Sequence, residues 1–435
     1  MSYRIERALL VFLLASTAGA NAPPNLVLCM TDDQGWGDVS YNGLTAIKTP
    51  HLDAMAAAGL RFDRFYAAAP VCSPTRGSFL TGRHPNRFGC FLYGYPIRPQ
   101  EHTIAQAAKS RGYATGHFGK WHLNGVSGPG RPIPADDPLH PGRLGFDTWL
   151  SVSNFFDLNP AMSRNGETVQ LTGDGSDLVV DEALRFIAAA AGAKKPFLAV
   201  VWFGNPHSPH RALPADRAAA GGSDYYGEIL AIDRAMGRLR AELRRLGAAE
   251  NTCLFFCSDN GATGPGSTGG LRGKKGSVWE GGLRVPGLLE WPARLPAPRT
   301  TAVPACTSDL YPTIREILGM TGPAPVEPID GISLLPLLDG TMRERPRPIG
   351  FWHFAPKRKD EDRLAPGAGH AAWTDNRYKL YRPGSGAPEL YDLVDDPGEQ
   401  RNLASAQPDV VRTMEAQLEA WQDSVLKSLR GEDYR

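Results

Sequence analysis

Four apolar runs spread along the chain each stop at a polar cluster, and that recurrence limits the folds open to it. Asn25–Thr31 ends at Asp32-Asp33, residues 113–118 run on to Lys120 and His122, residues 196–203 lead to His207, and Thr252–Ser258 ends at Asp259-Asn260. Short, almost continuous apolar runs suit strands buried on both faces of a parallel sheet. Helical patterns lie between them, at residues 50–59, 104–109, 177–191 and 225–246. The last carries Ile229, Ile232, Met236, Leu239 and Leu243 at helical spacing, a core-facing stripe. Strand and helix in alternation predict an α/β protein with a large, mostly parallel sheet flanked by helices. Ligands bind such open sheets in the crevice outside the carboxyl ends of the strands. The four polar clusters are therefore expected in one place.

Residues 70–83 (Pro-Val-Cys-Ser-Pro-Thr-Arg-Gly-Ser-Phe-Leu-Thr-Gly-Arg) read as a loop running into a helix. Ser73 is the expected N-cap, and Pro74 fits the first turn, where a missing N–H costs nothing. Cys72 then sits at a helix mouth that favours negative charge, with Arg76 within reach. Together they make an anion site holding a potential nucleophile; a buried structural cysteine beside a surface arginine is the reading these residues leave open. Asp32 and Asp33, adjacent after a buried strand, repel one another unless a cation neutralises them. Lys120 and His122 point to one side if the strand stays extended, because strand side chains alternate. His210 is a further imidazole close to His207.

Arg4 and Arg7, an apolar run over residues 8–15 and Ala18-Gly19-Ala20 read as a signal peptide over residues 1–22, hence an exported, periplasmic or secreted protein. The run is shorter than the about 20 residues a membrane span needs, so no span is expected in the mature chain. Removing Arg4, Arg7 and Glu6 with it leaves 45 basic against 45 acidic residues, a balance that offers no global field for nucleic acid. Six cysteines (29, 72, 90, 253, 257 and 306) are too few for a disulfide framework in 435 residues. Residues 125–175, rich in Gly, Pro, Asn and Asp, read as long surface loops. Beyond a helix at 309–318, short strands at 351–354, 371–374, 378–381 and 389–393 and a helix from Pro408 to about Leu429 suggest a small α+β subdomain. The expected division is 1–22 signal peptide, 23–344 catalytic α/β domain and 345–435 C-terminal subdomain.

Cys-x-Pro-x-Arg continuing to Leu80-Thr81-Gly82-Arg83, Asp32-Asp33-x-Gly, Gly119-Lys120-Trp121-His122-Leu123, the Pro-His-x-Pro at His207, and Ser258-Asp259-Asn260-Gly261 followed by Leu271-Arg272-Gly273-Lys274-Lys275-Gly276 together resemble the type I, formylglycine-dependent sulfatases of the alkaline-phosphatase-like superfamily. The resemblance implies that Cys72 is oxidised to Cα-formylglycine by a maturation enzyme and that its hydrate attacks sulfur. It implies one Ca2+ held by Asp32, Asp33, Asp259, Asn260 and residue 72. Arg76 steadies the hydrated aldehyde, Lys120 and Lys275 meet the sulfate and the leaving oxygen, His207 is the general acid and His122 the base. The expected substrate is a sulfate monoester, a small molecule or a saccharide from a sulfated polysaccharide, with Tyr93, Tyr95, Phe155, Phe156 and Trp352 as candidate sugar platforms. A phosphonate monoester hydrolase or phosphodiesterase of the same superfamily is the alternative, although a histidine is expected there in place of Asn260. A catalytically silent glycan-binding relative would need a lost nucleophile or ligand.

Overall fold

The computed structural model describes residues 22–357, 363–384 and 386–434. All but the last residue of the expected signal peptide lies outside these. Four strands, β1 (Asn25–Thr31), β2 (Ala114–Lys120), β3 (Phe197–Trp202) and β4 (Thr252–Ser258), form a parallel centre in the order β4-β1-β3-β2. Thr148–Val152 extends the β2 edge in parallel, and the antiparallel hairpin Ala161–Arg164/Glu167–Gln170 completes that side. Beyond β4 come Gly287–Glu290, Leu60–Phe62 and Arg299–Thr301, giving a ten-stranded mixed sheet.

Alternation along β1 explains why the sheet is covered on both sides. Leu26, Leu28 and Met30 enter one core with Phe79, Leu80 and Ile104. Val27 and Cys29 enter the other, packed by α2 (Gly175–Gly192) and α3 (Asp224–Arg245) through Val179, Ile187, Ile232, Met236 and Leu239. On the first face lies α1 (Cys72–Thr81), every residue of which is buried. A second, wholly antiparallel sheet of Ile349–His353, His370–Thr374, Tyr378–Pro383 and Glu389–Asp392 packs with α4 (Pro408–Leu429) at the C-terminal end. No helix among the described residues is long and apolar enough to cross a membrane.

Some local expectations give way to tertiary context. Helix α1 begins at Cys72 with extended Val71 as N-cap, and Ser73 instead accepts the Gly94 N–H at 2.9 Å. The helix at residue 50 stops at Ala56 rather than near Gly59. Residues 125–175 are not loops throughout: the edge strand and hairpin lie there, in pieces of four or five residues too short to stand out among Gly and Pro. Of the candidate sugar platforms, Tyr95, Phe156 and Trp352 belong to the buried core. All six cysteines are buried and unbridged.

Candidate active site

The register of the parallel strands brings their polar ends together. Thr31 pairs with Ser258, so Asp32 and Asp259 leave adjacent strands side by side; the Asp259 N–H donates to the Thr31 carbonyl at 3.1 Å and the Asp32 N–H to the Asn205 carbonyl at 3.0 Å. Asp33 turns back with a φ of 68°, a left-handed conformation uncommon for a non-glycine residue. Its N–H donates to Asp259 Oδ1 at 3.1 Å, and its carboxylate accepts from Asn260 Nδ2 at 2.8 Å. His122, two residues past the strand's end at Lys120, also has a positive φ, 55°. The extended alternation that was to align Lys120 and His122 therefore stops before it reaches the histidine. His122 nevertheless feels the charges of Lys120, Arg76, His207 and Lys275.

Helix α1 aims its first residue at this cluster. One sulfur, carboxylate or imidazole atom from each of Cys72, Asp32, Asp33 and His207 lies within 4.8 Å of the others. Three cations surround them. Lys120 Nζ is 2.6 Å from Asp32 Oδ2, and Lys275 Nζ is 2.6 Å from Asp33 Oδ1. The fully buried Arg76 guanidinium donates to Asp259 Oδ2 at 2.6 Å and to the Lys120 carbonyl at 3.1 Å, and lies 3.8 Å from Asp32. Lys274 turns away to the Gly264 carbonyl. Asn205, which the sequence motifs did not single out, is buried here with both side-chain polar atoms unpartnered. Phe155, read as a sugar platform, instead stacks on the His207 ring at 4.7 Å and 11°. Tyr93 is exposed, at 53%.

Burial and charge pull the titrating groups apart. Burial pushes the Asp32 carboxyl up, but Lys120, His207 and Arg76 hold it below the ordinary range. Burial, with Asp32 adding to it, pushes Asp259 up against the pull of Arg76. Burial also lifts the Cys72 thiol although Lys120 and Lys275 lower it. A protonated thiol is a poor nucleophile. His122 is buried with neither ring nitrogen partnered, and burial plus Lys120 and Arg76 push its pKa far down, keeping it neutral. His207 bonds the Ser208 carbonyl at 2.5 Å through Nδ1, which therefore carries the proton and leaves Nε2 facing Asp33 Oδ2 at 3.7 Å. Carboxylate and amide oxygens held among fixed cations, with a half-buried imidazole at His207 and a buried one at His122, can bind a small anion and carry protons to and from it.

Comparison with known proteins gives a consistent picture. A family model described as Sulfatase matches residues 24–320, and one described as N-sulphoglucosamine sulphohydrolase, C-terminal, matches residues 273–424. The N-acetylgalactosamine-6-sulfatase of Canis lupus familiaris is 33% identical over 378 residues, covering 78% of this chain and 71% of its own. Arylsulfatase A of Homo sapiens is 31% identical over 473 residues, covering 94% and 89%. The crystal structure of Ps i-CgsB in complex with k-i-k-neocarrahexaose superposes with a TM-score of 0.82 at 26% identity, covering 92% of this chain and 93% of that one.

Proposed function

Because the chain belongs to the sulfatase family, sulfuric ester hydrolases of the alkaline-phosphatase-like fold, we propose that it removes sulfate from saccharides, using a Cα-formylglycine made from Cys72. The observation that carries this reading is the convergence of Cys72, Asp32, Asp33 and His207 within 4.8 Å, between two lysines. A carbohydrate substrate is supported by the N-acetylgalactosamine-6-sulfatases and the neocarrahexaose-bound Ps i-CgsB among its relatives. Export through residues 1–22, and maturation by a formylglycine-generating enzyme, complete the proposal.

The donor set fits a hard cation. Asp32 Oδ1 and Asn260 Oδ1 are buried without hydrogen-bond partners, and the residues around them offer oxygen. Asp32, Asp33, Asp259 and Asn260 would hold Ca2+, which selects such ligands and, when bound, polarises a sulfate oxygen. Lys120 and Lys275 orient the sulfate and meet its charge with donors already in place. Arg76, locked on Asp259, steadies the residue-72 side chain from below. His207 holds one proton on Nδ1 against the Ser208 carbonyl; in its charged form, which Asp32 and Asp33 favour against burial, it carries a second on Nε2 and gives that one to the departing alcohol oxygen. Once one hydrate oxygen of residue 72 has displaced the alcohol at sulfur, His122, kept neutral by burial, takes the proton of the other hydroxyl as the C–O bond to sulfate breaks and the aldehyde re-forms. Phe155 holds the His207 ring in plane.

The test is co-expression with a formylglycine-generating enzyme. The Cys72 peptide should fall in mass by about 18 Da as an aldehyde replaces CH2SH, and activity on sulfated sugars should track the converted fraction. Full activity from Cys72→Ala would overturn the reading. Faster hydrolysis of a matched phosphonate or phosphodiester would favour the alternative.

A further inference from the structure

The loop that carries Lys275 is held at both ends by the C-terminal subdomain. At its start, the Arg272 guanidinium lies 3.5 Å over the Trp279 ring and donates to Tyr391 Oη at 3.0 Å and to the Glu399 carbonyl at 3.1 Å. At its end, Trp279 packs on Tyr381 at 3.9 Å, and the Glu280 N–H donates to the Glu399 carboxylate at 2.7 Å. Behind these contacts the fully buried Lys379 ammonium sits between Glu280, at 3.2 Å, and Glu399, at 2.8 Å. The Gly281 N–H closes the base of the loop on the Arg272 carbonyl at 2.7 Å.

The span in between has few further anchors, chiefly Lys274 Nζ on the Gly264 carbonyl at 2.9 Å and the buried Val278 near its end. Arg272, Gly273, Lys274 and Gly276 are exposed, and Gly273 and Gly276 take φ of 77° and 85°. Among the described residues, its own main chain is tied to the site side by Lys275 N–H to the Ala262 carbonyl and Gly276 N–H to the Pro70 carbonyl. A lysine side chain is long and rotamer-rich, so the place of Nζ depends on where its backbone is held. Exposed loops with few contacts open most easily.

We propose that Arg272, Lys379 and Glu399 are positioning residues for the reaction: by clamping both ends of this loop, the C-terminal subdomain keeps Lys275 Nζ against Asp33 in the sulfate site. This rests on the role given to Lys275 above. It makes the subdomain a part of the active site rather than an appendage to it.

The test is a double-mutant cycle on converted enzyme, with the aldehyde fraction read by mass. Arg272→Met alters an exposed side chain and leaves the core alone; Glu399→Ala is the interior variant. Each should lower kcat/KM on a nitrophenyl sulfate about tenfold, and by less than about twofold once Lys275→Ala is present, while the loss persists in a His207→Ala background. Hydrogen exchange at the 273–278 amides should rise in Glu399→Ala and stay unchanged in β1. An equal loss with and without Lys275, or exchange that rises throughout the sheet, would overturn the clamp. Full activity in Lys275→Ala alone would overturn the role of Lys275 itself, a result separable from failure of the clamp.

Discussion

Asp32, Asp33 and Asp259 crowd into a space where, among the described residues, Lys120, Lys275 and Arg76 touch them directly. Buried ions are costly unless each is matched, so removing one partner acts well beyond its own contact. A cation bound among these oxygens stabilises the folded state by mass action. Ca2+ added to chelated protein should raise its melting temperature, and Asp259→Ala should lose that shift; an equal shift in the variant would remove Asp259 from the ligand set. His207 offers a second residue-level prediction. A sugar alcohol leaves poorly without a proton, whereas a nitrophenolate leaves readily. His207→Ala should therefore slow a sugar sulfate by about 100-fold or more and a nitrophenyl sulfate by less than about tenfold, the range of general acid catalysis. Equal losses on both substrates would take the acid role from His207.

Single elements show how far local signals reach. Ser73 has the chemistry of a cap, yet α1 starts at Cys72, two residues before the expected start, and the Ser73 hydroxyl instead accepts the Gly94 N–H across a loop. Helix α2 starts at Gly175, two residues before the expected 177, because Asp174 caps it, accepting from the Ser176 and Asp177 N–H groups at 2.8 and 3.3 Å. The other Asp174 oxygen is buried without a partner, and burial pushes the carboxyl pKa up to about 6 against the pull of the two cap hydrogen bonds. A carboxyl raised in the folded state favours folding while protonated. Its contribution is full below the unfolded value of about 3.9 and is lost as pH rises through about 6. Asp174→Asn keeps a good cap without the charge. Denaturant unfolding should find the variant close to wild type at pH 4 and more stable at pH 8, by on the order of 1 kcal/mol. A difference that does not change with pH would show that the Asp174 charge carries no folding penalty.

Across the whole molecule, the boundary proposed between residues 344 and 345 sets the C-terminal antiparallel sheet apart from the sheets before it but does not divide the core. Leu26, Phe79 and Leu198 share a cluster with Leu380, Leu390 and Leu418, while Tyr66 and Leu283 share another with Phe351 and Tyr391. Arg87 and Trp421 meet on Asp330, tying α4 to the segment after α1. We therefore expect one cooperative thermal transition, with calorimetric and van't Hoff enthalpies equal; two resolved transitions would mean that the C-terminal piece folds independently. The four central strands, the polar residues that end them and the donor types gathered at their carboxyl ends were legible in the sequence, because apolar runs, helical spacing and short motifs are local, whereas the short edge strand and hairpin within 125–175 were not. The tertiary structure alone decided which oxygen faces which cation, since Asp33 and Lys275 meet across 242 positions. It also decided that Phe155 stacks on His207, that Asn205 lies in the site, and that the C-terminal sheet grips the loop of Lys275. Register and long-range packing fix those contacts, and neither is written in the neighbourhood of any one residue.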